Sequence, residues 1–388
     1  EPHFTYHGYQ FVEIHGLSRK PTAEEVTGIV FHTDFAKEST FNCSNPLLTR
    51  FIRNTKWSMR ANILGIPTDC NQRDERCGYT GDMNFFMPAA LYNFDLAGFF
   101  NKWLVDVEDA QMPGGWFPDH APYYGPGGGP NVGWSDAGVL GVHRMYREYG
   151  DTQVIREHYD SMTRSLEHQI STTNPDGTRG GQEKEKGRAW RVGLTDHAKP
   201  HGGNIVSRIT TGTAYLAHNA QVMAEMAAAI GKREDAEKYR ALEESTRKAF
   251  ADKLIDEDGR IHSDSQTGYA LAFFMGLVPE NRKAQVALRF GERVEKVGHI
   301  TTGFMGCPHV LQGLSLAGRD KDAYKLLLNE DLPSWLFMAK HGNTIWEHFH
   351  SKRADGSPAG PLMNSFTHYA HGAAGAFAFS HIGGIRPE

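Results

Sequence analysis

A chain of 388 residues with 39% hydrophobic and 22% charged residues has the balance of a soluble globular protein and is long enough to bury a large core. Its 41 Lys and Arg against 46 Asp and Glu give a formal charge of -5, without the basic stripe that neutralises phosphates, so nucleic acid is not an expected partner. No run approaches the roughly eighteen apolar residues of a membrane span, and the opening EPHFTYHGYQ lacks the charged-then-apolar layout of a signal peptide, so neither a membrane nor a retained targeting segment is expected.

In chain order, residues 1–40 come first. FTYHGYQFVEI and GIVFHTDF alternate apolar and polar residues and are rich in β-branched and aromatic side chains, which predicts strands. Two strands alone do not make a stable sheet, so this segment is expected to end an upstream β-domain or to cover one end of the main domain, residues 41–388. From Ser44 onward helices are expected, the first opened by Ser44 as N-cap with Pro46 just inside. Charge then alternates along the chain. Residues 209–224, 265–278 and 303–317 contain no Asp, Glu, Lys or Arg, whereas 232–248, 281–296 and 318–331 are dense in them. A helix uncharged all round must be buried all round, and a charged partner must face water on one side. The pattern predicts a mainly α protein in two layers, an (α/α)6 barrel of six helical hairpins. An open two-layer solenoid would share the alternation, but no sequence repeat of solenoid period accompanies it.

The stretch 112–138, rich in Gly and Pro yet carrying Trp116, Tyr123, Tyr124 and Trp134, is expected to be a loop that brings aromatic faces and carboxylates to a cleft. Four cysteines in so long a chain make no disulfide scaffold, and no C-x-x-C pair or H-E-x-x-H spacing is present, so no metal or cofactor is expected.

Two segments carry chemistry. IPTDCNQRDERCGYTGDMN, 66–84, places Asp69, Asp74, Glu75 and Asp82 close together with Arg73 and Arg76 among them. Crowded carboxylates hold protons near neutrality, as a general acid requires; a solvated turn with surface ion pairs is the alternative. HGNTIWEHFHS, 341–351, sets Glu347 among Ile345, Trp346 and Phe349, a poor place for a solvated charge, so a buried and paired carboxylate is expected. Two such centres suit inverting glycoside hydrolysis, where one acid protonates the leaving oxygen and one base activates water on the opposite face.

PTDCNQRDERCGYTGD, 67–82, resembles the PTDCPQRDERLGWTGD segment of bacterial and fungal α-L-rhamnosidases of glycoside hydrolase family 78, whose catalytic domain is an (α/α)6 barrel. FFNKWLVDVEDAQ (99–111), GWFPDHAP (115–122), GWSDAGV (133–139), DSQTGYALAF (264–273), TTGFMGCPHVL (301–311), NEDLPSWLFM (329–338), NTIWEHF (343–349) and MNSFTHYAHGA (363–373) resemble further blocks in the same order, over essentially 40–385. The resemblance implies Glu75 as general acid and Glu347 as general base of an inverting exo-glycosidase acting on terminal α-L-rhamnosides of glycosides or polysaccharides. Asp69 and Asp82 would then hydrogen-bond the sugar hydroxyls, with Arg73 and Trp346 also on the substrate. Tyr79, where the family has Trp, would form the apolar wall with Trp134, and Asp136 and His368 would contact the sugar or orient the acid. Around GLTDHAKP, 193–200, the family commonly reads GDWL, so a pocket aromatic is either missing or supplied by Trp190. The alternatives are a same-fold enzyme for another deoxy or uronic sugar, a silent carbohydrate-binding barrel, or a helical scaffold. Retention of both Glu75 and Glu347 argues against a silent barrel, and charged outer helices argue against a scaffold.

Overall fold

Proline has a fixed φ and no N–H to lose, so it suits the first turn of a helix, and the first long helix, α1 (Pro46–Arg60), begins on Pro46. The cap is Asn45, not Ser44. The Asn45 side chain accepts from the backbone N–H groups of Leu47 and Leu48 at 2.9 and 3.0 Å; Ser and Asn cap about equally well, so their order before the proline left the choice open. In the computed structural model, residues 3, 5–125, 128–181, 196–360 and 363–386 are described.

Among the described residues eleven more helices follow: α2 (Thr80–Asn93), α3 (Ala97–Asp109), α4 (Ala137–Tyr149), α5 (Gln153–Ser171), α6 (Arg208–Ala229), α7 (Arg233–Leu254), α8 (Gln266–Phe274), α9 (Lys283–Val297), α10 (Cys307–Leu316), α11 (Asp320–Leu327) and α12 (Trp335–His341). A final helical stretch runs over 370–382, with α13 (Gly375–Phe377) at its centre. Burial separates two layers as the charge pattern predicts. In α6, 15 of 22 residues are buried, against 7 of 22 in α7, and α2, α8 and α10 are almost wholly enclosed. The inner elements are α2, α4, α6, α8, α10 and 370–382. Each packs on the next, and the last packs back on α2. This closed ring excludes the open solenoid.

The connections determine where a site can form. Turns from an inner helix to the next outer one are short, such as 150–152 and 230–232, whereas outer-to-inner connections are long: 61–79, 110–136, 255–265, 298–306 and 342–369. Because every inner helix starts after a long connection, these loops collect at one rim, beside the positive ends of the inner helix dipoles.

Residues 1–40 differ from expectation. Among their described residues there is no strand, only a 3₁₀ turn at Ala23–Glu25 and an isolated bridge from Glu38 to Phe94; a two-stranded ladder forms further on, between β1 (Ile63–Leu64) and β2 (Ile66–Pro67). An extended segment becomes a strand only by pairing, and here Phe11, Ile29, Val30 and Phe31 lie exposed instead. The segment does touch the rim. Gly8 N donates to Asn71 O at 2.7 Å, and Tyr6 Oη lies 2.9 Å from Thr68 Oγ1.

Candidate active site

The 61–79 connection closes on itself before entering α2. Asp69 N donates to Cys77 O at 3.0 Å, and Asp69 Oδ1 accepts from Cys77 N at 2.8 Å. This clamp projects Arg73 and Glu75 from the loop tip, while Asp74 points fully into solvent. Arg76 turns away from the centre, bonding Thr5 Oγ1 at 3.1 Å and the carbonyl of Tyr6. The expected crowding of carboxylates is therefore organised around a cation. Arg73 Nε donates to Glu75 Oε2 at 2.7 Å, Nη1 to Glu347 Oε2 at 2.8 Å, and Nη2 to Asp69 Oδ2 at 3.2 Å. Glu75 occupies the edge made by Nε and Nη2, and Glu347 a corner beyond it. Tyr79 Oη donates to the other oxygen of Glu75 at 2.9 Å.

Glu347 reaches this point on a braid of two segments. Its N–H donates to Ser365 O at 2.9 Å, Ser365 N returns to Glu347 Oε2 at 2.7 Å, and His368 N donates to Ile345 O at 2.9 Å. Ile345 N is tied to Ser58 Oγ of α1 at 2.7 Å. The carboxylate is buried, as expected. Burial alone would raise its pKa, but His368, the Arg73 bond and His348 outweigh it and hold the carboxyl below the usual glutamate range. Its Oε2 takes two donors, whereas Oε1 faces His348 Nε2 at 3.7 Å.

Asp82, on the first turn of α2, lies with its Oδ2 3.2 Å from His368 Nε2. Burial lowers the His368 pKa, yet the bond to Asp82 and the charges of Asp82, Glu347 and Asp69 raise it overall. Burial raises Asp69, with Asp82 and Glu75 adding to it. Asp69, Arg73, Glu75, Asp82, Glu347 and His368 thus form one connected group.

The remaining candidates divide. Trp134 is buried edge-on against Phe85, centroids 5.3 Å apart, and sits so close over Gly81 that a Cβ there would lie 2.3 Å from the indole. Gly81 is therefore required for the indole's position. Asp136 is not a free acceptor. Its Oδ2 takes Gly133 N at 2.6 Å and its Oδ1 takes Asn219 and Gln169 side-chain N–H groups at 2.5 and 3.2 Å, which fastens the loop before α4 to α5 and α6. Trp346 is enclosed by Phe337, Phe366 and the Lys352 ammonium and packs the backbone that carries Glu347. Trp190 lies outside the described residues.

Three rings near the group were not among the sequence candidates. Phe304 stacks on His368 at 4.8 Å, His197 meets Phe304 edge-on at 5.4 Å, and His348 stands 6.5 Å from His197. His348 could have been noticed as the neighbour of Glu347. The described part of 193–200 thus contributes an imidazole, while Asp196 beside it is buried, accepting from Gly303 N at 2.8 Å and Gly306 N at 3.1 Å to hold the start of α10.

Among the described residues, Asp69, Cys70 and Glu75 offer atoms within 4.8 Å of one another. They suit a cation poorly, because Arg73 already bonds both carboxylates and burial, with Asp69 adding, pushes the Cys70 thiol up to about 12.

Residues 36–382 match the family model described as the bacterial α-L-rhamnosidase six-hairpin glycosidase domain, and residues 1–32 match that of the bacterial α-L-rhamnosidase concanavalin-like domain. Over its whole length the chain is 38% identical to an α-L-rhamnosidase of Streptomyces avermitilis and 33% identical to one of Formosa agariphila, covering 36% and 42% of them. It thus spans well under half the length of these relatives. The crystal structure of the Streptomyces avermitilis α-L-rhamnosidase complexed with L-rhamnose superposes with a TM-score of 0.87 at 37% identity, over 95% of this chain and 34% of that one. The Aspergillus terreus α-L-rhamnosidase structure gives 0.85 at 30% identity, over 95% and 43%.

Proposed function

Because the chain belongs to the bacterial α-L-rhamnosidase six-hairpin glycosidase domain family, we propose that it hydrolyses terminal α-L-rhamnosyl linkages of glycosides or polysaccharides with inversion. The observation that carries this reading is the meeting of Glu75 and Glu347, 272 residues apart in sequence, on one guanidinium, beside Asp69, Asp82 and His368. An acid on one side and an ionised, buried base on the other are the two groups that inverting hydrolysis needs.

In the reaction so read, Glu75 keeps the Tyr79 bond at Oε1 and carries its proton on Oε2, releasing Arg73 Nε. That proton passes to the glycosidic oxygen as its bond to the anomeric carbon breaks. Glu347 Oε1 takes a proton from water, whose oxygen bonds the anomeric carbon from the opposite face. Asp69, Asp82 and His368 would fix the sugar hydroxyls, and Trp134 with Tyr79 would meet the apolar face and methyl group. Residues 1–40 we read as the end of a β-domain, in keeping with the match over 1–32 and the exposed apolar side chains there.

A panel of aryl glycosides tests the assignment: release from the α-L-rhamnoside should exceed that from aryl α-L-fucoside, β-D-glucuronide and α-L-arabinoside by orders of magnitude. A preference for another sugar would overturn it. Trp134 should matter mainly for binding. Trp134→Ala is expected to weaken inhibition by rhamnose by more than about tenfold, since removing a buried stacking ring costs on the order of 2 kcal/mol. An unchanged inhibition constant in a folded variant would remove Trp134 from the sugar pocket.

A further inference from the structure

The outer side of Glu75 carries a built aromatic surface. Tyr79, which bonds Glu75, meets the edge of His120 with centroids 6.1 Å apart. His120 in turn lies 5.1 Å from the Tyr123 ring and 4.6 Å from the Tyr124 ring. Tyr123 and Tyr124 are 39% and 69% exposed, yet the loop that bears them is not loose. Thr80 N donates to Asp119 O and Ala121 N to Gly78 O, both at 2.9 Å, which ties residues 119–121 to the segment entering α2. Tyr123 lies close over Gly128, where a Cβ would approach its ring to 2.7 Å, and Tyr124 Oη is 3.0 Å from Cys77 Sγ. The Tyr124 hydroxyl is pushed up to about 12, first by the Cys77 bond and burial, then by the charges of Cys77 and Glu75, so the two side chains are within electrostatic reach. Beneath the tyrosines, His120 is buried with Nδ1 on Asp119 at 2.8 Å and with no hydrogen-bond partner for Nε2 among the described residues.

A general acid protonates the oxygen that departs, so the departing group must lie on the acid's side, away from the base. We propose that Tyr124, with Tyr123 and backed from beneath by His120, forms the leaving-group subsite, a stacking surface for a flat ring next to the scissile bond. Two sources supply such a face, an aryl aglycone or the apolar side of the next pyranose. This assignment rests on Glu75 being the acid.

The test compares kcat/KM for 4-nitrophenyl α-L-rhamnoside, a rhamnosyl-glucose disaccharide and methyl α-L-rhamnoside, which has no ring to stack, in wild type, Tyr124→Ala and Tyr124→Phe. Tyr124→Ala should lower the ratio of ringed to methyl substrate by about fivefold or more, the scale of one stacking contact, and Tyr124→Phe should restore it, since the ring is kept and only the Cys77 bond is lost. A fall confined to the aryl substrate or to the disaccharide upholds the subsite and names its ring. A ratio unchanged for both, or a fall that Tyr124→Phe does not restore, overturns it. Failure of the acid assignment is read separately, from Glu75→Gln in a chain with Tyr124 intact, where equal losses on good and poor leaving groups would appear whatever Tyr124 does.

Discussion

Glu75→Gln is expected to leave the fold intact and to slow the hydrolysis of substrates with poor leaving groups by about 10²- to 10⁴-fold, the usual worth of a positioned acid. The amide can still accept from Tyr79 Oη, and Arg73 retains Glu347 and Asp69 as partners, so little reason exists for the loop to rearrange. What disappears is a transferable proton. An activated aryl leaving group departs as a stable anion and barely needs one, so its loss should be far smaller. The measurement is a plot of log kcat against leaving-group pKa, which should steepen in the variant. Parallel lines for variant and wild type would take Glu75 out of the acid role and leave it as a partner of Arg73.

The barrel was legible in the chain because burial removes charge. An inner helix such as α6 touches protein on every side and tolerates no Asp, Glu, Lys or Arg over 209–224, while α7 keeps one face in water. The 66–84 loop was legible as a candidate site because it sets Asp69, Asp74, Glu75 and Asp82 beside Arg73 and Arg76 within a short stretch that also holds Cys70 and Tyr79. Pairing across the fold was not legible. Asp136 and Asp82 are both carboxylates at the start of inner helices, and nothing local says that Asn219 and Gln169 will saturate the first while His368 meets the second. Arg73 looked like one of two flanking cations, yet it became the hub because the braid of 343–351 with 363–369 delivers Glu347 to it from the other end of the chain. The same limit applies to residues 1–40. Alternation shows which face of a segment is apolar, and the partner that would complete a ladder is a property of the assembled structure.

The stereochemical outcome decides whether Glu347 activates water or attacks carbon. A retaining pair of carboxyls stands about 5 Å apart and forms a glycosyl-enzyme, whereas an inverting pair leaves roughly 6.5 to 9.5 Å for a water. Glu75 and Glu347 bond different nitrogens of the Arg73 guanidinium, and the proposed inversion requires the wider arrangement. Glu347 Oε2 is held by Arg73 and Ser365 N, which leaves Oε1 to take the proton. Proton NMR in the first minutes of hydrolysis should therefore show β-L-rhamnose before mutarotation supplies the α form, and Glu347→Gln should abolish turnover without trapping a covalent sugar. The base works only when ionised, so activity should fall as pH drops through its pKa. Burial raises that pKa, but His368, Arg73 and His348 lower it further, to below the ordinary value of 4.5. The acid limb of kcat/KM on an activated aryl α-L-rhamnoside should accordingly lie below about pH 4.5. Alpha-rhamnose appearing first would make Glu347 the nucleophile, and an acid limb near pH 6 would assign the essential ionisation to a different group.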